Sequence, residues 1–183
     1  MKTFDTKISG VKLIKSDSNE DDRGFFQEAW HKDKFEALGL PIEWPQDNVS
    51  TSFHGVIRGL HIQKGTPQGK LIRCLFGVVW DVWVDLRKES PTFKKWEAIT
   101  LNYLSHEAIY LPPGLAHGFL AIQHPSVVAY KCTTVYDKES DGGIRWDDPE
   151  LAIEWPLAEG LVPIVSVKDT RLPTLDEYLK TLG

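Results

Sequence analysis

The sequence predicts a mainly β protein built as a sandwich or small barrel. Three observations carry that prediction. Short runs rich in β-branched and aromatic residues recur at similar spacing through the middle of the chain. Pro-Gly, Gly-Gly and Asp-Pro breaks separate most of them. Helix signals are few, which argues against a wound α/β sheet.

The elements follow in order. A short helix is expected over 32–38, closed by Gly39. The first clear strand covers 71–76 and ends at Gly77. The clearest covers 78–86, with Trp80, Val82, Val84 and Leu86 on one face and Asp81, Trp83 and Asp85 on the other. Further strands are predicted over 95–101, 108–111, 118–122 and 127–135. Thr174 and Glu177 have capping-box spacing, so a terminal helix follows.

At 183 residues the chain is expected to form one domain, 1–183, with a substantial core. The composition is that of a folded protein, with 42% hydrophobic residues and no low-complexity stretch. No apolar run is long enough to cross a bilayer, and the first ten residues lack the apolar core of a signal peptide. A cytoplasmic protein with no membrane partner is the expectation. The net charge of −5 argues against nucleic acid as a partner. Cys74 and Cys132 have no C-x-x-C partner and read as buried small residues.

Strand-like segments carry polar groups that a strand normally keeps for solvent. Arg58, His61, Lys70 and Arg73 interrupt apolar runs, and burying several cations without partners is costly. A cavity with anionic contents explains them: a proton acceptor beside an anion site. A second candidate is His117, delivered by the tight Pro112-Pro113-Gly114 turn, although a rigid hairpin whose histidine caps a carbonyl would look the same. Tyr130 and Tyr136 have even spacing and share a face if their strand is regular; a phenol there is a proton donor, and in the core it is only a packed aromatic. Asp22 to Glu28 and Gln46-Asp47-Asn48 alternate polar and aromatic groups as a nucleotide-binding wall does. Asp169 is a carboxylate able to orient a distant histidine, a pairing that spacing alone does not predict. A metal site is disfavoured, because Gln63 breaks the H-x-H pair that metal-binding barrels of this size use.

Eight strings in order make the chain resemble the dTDP-4-dehydrorhamnose 3,5-epimerase family. They are DDRGFF (21–26), QDN (46–48), VIRGLHIQ (56–63), QGKLIR (68–73), DLRKESPTF (85–93), LPPGLAHGF (111–119), AYKCTTVY (129–136) and WDDPELAIEWP (146–156). The resemblance implies a cupin-type jelly-roll barrel with a few short helices. It implies no metal or cofactor, a dTDP-sugar substrate, and a homodimer whose N-terminal strands cross between subunits. By resemblance, His61 is the general base, Asp169 orients it, Tyr130 is the general acid on the opposite face of the sugar, and Lys70 stabilises the enolate with His117 close by. Arg23, Phe26, Glu28, Gln46, Asp47, Asn48, Arg58, His117, Asp141 and Lys168 fall in segments that bind the nucleotide sugar, and Tyr136 fits a stacking role. Arg73 is assigned no place in the site.

Two departures from the family pattern stand out. Asp141 replaces a commoner Glu, and Trp80 and Trp83 replace commoner Phe and Ala; if Trp83 faces the cavity, it narrows it. The expected reaction is inversion at C3 and C5 of dTDP-4-dehydro-6-deoxy-D-glucose. The alternatives are a mono-epimerase on a related sugar, a non-catalytic nucleotide-sugar-binding cupin, and a metal-dependent cupin oxygenase or isomerase.

Overall fold

A computed structural model describes residues 1–182. The chain runs through β1 (Lys2–Asp5), β2 (Lys12–Lys15), β3 (Ser18–Asp21), β4 (Gly24–Gln27), α1 (Lys32–Ala37), β5 (Gln46–Ser52), β6 (Val56–Gln63) and β7 (Lys70–Phe76). It continues through β8 (Val78–Asp85), β9 (Trp96–Asn102), β10 (Glu107–Leu111), β11 (Leu115–Ala121), β12 (Ser126–Cys132), β13 (Asp141–Gly143) and β14 (Ile164–Val165). A 3-10 turn at Asp169–Arg171 and helix α2 (Leu175–Lys180) close the described chain. The strands form two sheets, ordered β1-β2-β10-β7-β12-β5 and β13-β6-β11-β8-β9, with β14 beside β6 and the hairpin β3-β4 apart. The architecture is mainly β and of jelly-roll type. Among the described residues no helix is long and apolar enough to cross a membrane.

Alternation decides which side chains meet between the sheets. Ile72, Cys74, Val79, Trp83, Ile109, Leu111, Phe119 and Val128 pack there into one buried cluster. The other face of β8 puts Val82 and Val84 under the C-terminal segment, where Leu151, Leu175 and Tyr178 cover them. The outer face of the first sheet buries Ile14 and Leu71 under Phe35 of α1. Burial of the β8 residues on both faces explains its near-continuous apolar reading.

The predicted strands are present with small shifts of their ends. At β11 the start moves three residues, to Leu115, so His117 lies inside the strand and not at its start. The run predicted to reach 135 stops at Cys132, because Thr133 Oγ1 accepts from the Gly69 N–H and the chain turns away. The short helix ends one residue early, with Gly39 at φ +68° beyond it. Helix α2 has the predicted capping box: the Glu177 N–H donates to Thr174 Oγ1, and the Thr174 N–H donates to Glu177 Oε2. Both cysteines are free and buried.

Asp85 locks the turn that follows β8. Its fully buried carboxylate accepts from Arg87 Nε (2.8 Å) and Nη2 (2.7 Å), from the Arg87 N–H, and from the Ser90 and Thr92 hydroxyls. Burial alone would raise its pKa; the hydrogen bonds from Arg87, Ser90 and Thr92 outweigh it and bring the value from 3.8 to about 2. A depressed folded-state pKa contributes stability above the unfolded value that is lost as pH falls through the folded one. That contribution is about 2 kcal/mol at neutral pH. Asp85→Asn should therefore lower the unfolding free energy at pH 7, and its difference from the wild type should shrink between pH 4 and pH 2. Denaturant titrations at the two ends of that range check both statements.

Candidate active site

One irregularity in β6 builds the site. In a regular strand, residues three apart point to opposite faces. Here His61 lies opposite His117 on β11, while Arg58 lies opposite Phe119, so β6 carries one more residue than β11 across this step. The extra residue turns both Arg58 and His61 inward and sends Leu60 into the outer core. Gly59 makes this possible. Its φ is +120°, and a Cβ built on it would lie 2.6 Å from Gly118 Cα and 2.7 Å from His117 O. No other residue fits there.

The Gly59 N–H donates to Asp169 Oδ2 at 3.2 Å, and Asp169 Oδ1 accepts from His61 Nε2 at 2.8 Å. The 3-10 turn brings Asp169 in, with its own N–H donating to Ser166 Oγ at 3.0 Å. Burial pushes the Asp169 carboxyl up, but the hydrogen bond and charge of His61 and the Gly59 N–H outweigh that and hold it below 3.8. An ionised acceptor at Nε2 fixes the Nε2–H tautomer of His61 and leaves Nδ1 as a lone pair.

A second pair of the same kind lies beside it. His117 Nε2 donates to Asp81 Oδ2 at 2.8 Å, with Asp81 fully buried on the inner face of β8. Lys70 is also buried, its Nζ 3.4 Å from His61 O. Burial pulls its ammonium below the ordinary 10.5, while Cys132, Asp81 and Asp141 act in the other direction. Tyr130 faces inward from β12. Burial raises its phenol above 10.0, Cys132 and Asp141 add to this, and Arg58 opposes it. A half-buried phenol that keeps its proton is a donor.

Gln46 and Asn48 share the inner face of β5: Gln46 Nε2 donates to Asn48 Oδ1, and Asn48 Nδ2 to Cys132 Sγ. Arg58 joins this wall through Ser52 Oγ at 2.9 Å and Thr51 O at 3.1 Å. At the rim, Asp141 Oδ2 accepts from the Tyr136 hydroxyl (2.9 Å) and from Lys168 Nζ. The Tyr136 ring stands half exposed, and the Gln46 side chain holds its backbone N–H. Trp83 faces inward in register with His117, 1% exposed, with no hydrogen-bond partner for Nε1. Trp80 faces out against Trp96 and Trp155.

Other candidates lie elsewhere in the protomer. Asp47 alternates to the outer face of β5 and pairs with Lys131. Arg23 pairs with Asp21 on the free hairpin, Phe26 beside it is 72% exposed, and Glu28 pairs with Lys34. Arg73 alternates to the outer face of β7, beside Leu71 and Leu75. Gln63 donates to Thr66 O and accepts from the Asp137 N–H, so it anchors loops. Among the described residues no cluster of three or more His, Cys, Asp or Glu side chains is placed to hold a metal. Sequence reading missed Asp81 and Ser52. The only signal for Asp81 was an acid, like Asp85, on the inner face of a largely apolar strand.

The His61 contact gives a prediction that needs no assay of function. His61→Ala removes the hydrogen bond while leaving Asp169 buried, so the Asp169 midpoint should rise from its depressed position. Carboxyl carbon NMR titration of wild type and variant reads the change.

The chain is similar to known proteins over nearly its whole length. A family model described as dTDP-4-dehydrorhamnose 3,5-epimerase matches residues 5–177. The dTDP-4-dehydrorhamnose 3,5-epimerase of Escherichia coli (strain K12) is 43% identical over 98% of this chain and 97% of its own. The crystal structure of the Legionella pneumophila Philadelphia 1 dTDP-6-deoxy-D-glucose-3,5-epimerase, in complex with dTDP-4-keto-L-rhamnose, superposes with a TM-score of 0.93. That protein is 40% identical and covers 99% of this chain and 96% of its own. A dTDP-4-dehydrorhamnose 3-epimerase of Streptomyces niveus is 41% identical over 88% of this chain and 78% of its own.

Proposed function

This chain belongs to the dTDP-4-dehydrorhamnose 3,5-epimerase family, and from that premise we propose that it inverts C3 and C5 of dTDP-4-dehydro-6-deoxy-D-glucose to give dTDP-4-dehydro-L-rhamnose. The observation that carries the reading is His61, gripped at Nε2 by the buried Asp169 and lying next to the ammonium of Lys70. C3 and C5 both flank the C4 carbonyl, so one carbonyl acidifies both C–H bonds. His61 Nδ1 takes the proton, and the C–H electron pair moves into the enolate with its charge on the carbonyl oxygen. Lys70 stabilises that oxyanion, with His117 beside it; removing one such group costs roughly two to three orders of magnitude in rate. Tyr130 then delivers a proton to the opposite face and is reprotonated from solvent, while His61 releases the proton it took to solvent and is free to act at the second carbon. The 4-keto group supplies the acidity, so the reaction calls for no cofactor.

The same reading assigns the remaining groups. Gln46, Asn48 and Arg58 line the substrate cavity, while Asp141, Lys168 and Tyr136 at the rim take the nucleotide, with Tyr136 offering its ring for stacking. The whole chain acts as one domain. The partner is a second copy, whose crossing N-terminal strands deliver Arg23, Phe26 and Glu28 to this cavity. What supports a dimer is the apolar surface exposed on the hairpin and the outer face of the first sheet: Phe25, Phe26, Val49, Leu75 and Phe76. Free thiols in both cysteines fit a reducing, cytoplasmic setting.

A related 3-epimerase of similar identity makes single inversion the second reading. Proton NMR in deuterated water with dTDP-4-dehydro-6-deoxyglucose separates them. Double epimerisation predicts loss of signal at C3 and at C5. Loss at one carbon alone shows a mono-epimerase, and binding without exchange shows a non-catalytic module. His61→Ala should lower exchange by roughly two to four orders of magnitude. Asp169→Ala should lower turnover more than about tenfold while substrate affinity changes less than about threefold; unchanged turnover would remove its orienting role.

A further inference from the structure

We propose that Asp81 is a positioning residue for His117, holding its imidazole by Nε2 so that the Nδ1 edge is presented to the cavity beside Lys70. This rests on the epimerase reading only for what His117 then does, which is to help hold the developing oxyanion.

Three observations carry it. His117 and His61 stand opposite one another across β6 and β11, and each is gripped at Nε2 by a carboxylate at 2.8 Å. The two histidines are thus held alike, by acids that come from unrelated parts of the chain. The second observation is cost. Asp81 is 0% exposed, and its Oδ1 has no hydrogen-bond partner. Asp85, four residues on, spends both oxygens on the turn it locks. A buried carboxylate with an idle oxygen is a poor structural device, since an apolar residue would pack there without the desolvation penalty. The third is charge. The Lys70 ammonium lies in the same buried interior and is attracted to Asp81. One carboxylate therefore serves both groups of the anion-holding pole: it orients the imidazole and balances the ammonium. Without it the ring is free to change tautomer or rotate, as histidines do when an orienting acid is lost.

The test is Asp81→Asn in the full chain, with three readouts. Long-range ¹H–¹⁵N spectra of the substrate-free protein should show wild-type His117 as the Nε2–H tautomer, and the variant should lose that single state. Turnover of dTDP-4-dehydro-6-deoxyglucose should fall roughly 10- to 100-fold with KM within about threefold. The thermal midpoint should change little, because the variant loses both the desolvation cost of the buried carboxylate and its attraction to Lys70. Asp81→Glu, which keeps a carboxylate, should recover part of the turnover. The proposal is overturned if wild-type His117 is the Nδ1–H tautomer, if the variant keeps the wild-type His117 spectrum, or if its turnover stays within about twofold. It is also overturned if the midpoint falls and kcat and KM deteriorate together, which marks a structural residue. Should the wild type fail to exchange substrate protons, the epimerase reading falls, and the His117 spectra still decide the role of Asp81.

Discussion

The site depends on the extra residue in β6. A jelly roll built of regular strands would put Arg58 and His61 on opposite faces, one in the cavity and one in the outer core. Gly59 absorbs the irregularity with a φ of +120° and a backbone approach to Gly118 that no side chain would permit. The same residue donates its N–H to Asp169, so the distortion that aims His61 also fixes the acid that holds it. Strain in the backbone and placement of the proposed base are one feature.

Around that feature the two sheets divide the work. The second sheet supplies the two histidines and Asp81; the first supplies Lys70, Tyr130, Gln46 and Asn48. These groups stand on paired strands of both sheets, which fixes them more closely than loops would. Each of the site's buried carboxylates has a partner, with Asp169 at His61, Asp81 at His117, and Lys70 drawn to Asp81 and Asp141. That arrangement limits the desolvation cost of holding ions in an interior. The apolar cluster of Ile72, Val79, Trp83 and Val128 seals the rest of the space between the sheets.

Much of this was legible in the sequence, and the exceptions have physical causes. The face division of β8 was readable from alternation, and the terminal helix from its capping box. Strand β5 was not predicted, because QDNVSTS has too few apolar residues to look like a strand. Its inner face lines a polar cavity and its outer face meets solvent. The contact of Asp169 with His61 spans 108 positions, so spacing could not reveal it, and only resemblance pointed there. Asp81 looked like a by-product of alternation because its partner lies on another strand. Arg23, Phe26 and Glu28 matched a binding pattern yet stand on or just after a separate hairpin, Arg23 paired with Asp21 and Glu28 with Lys34; a local motif does not say which subunit it serves.

The central claim is that the Gly59 irregularity creates the catalytic face, and Gly59→Ala tests it most directly. The measurement is solvent deuterium exchange into dTDP-4-dehydro-6-deoxyglucose by variant and wild type, with circular dichroism to confirm that the β structure persists. The account predicts a folded variant whose exchange at both carbons falls by about two orders of magnitude or more, as His61 leaves its place. A folded Gly59→Ala variant exchanging at the wild-type rate would contradict it.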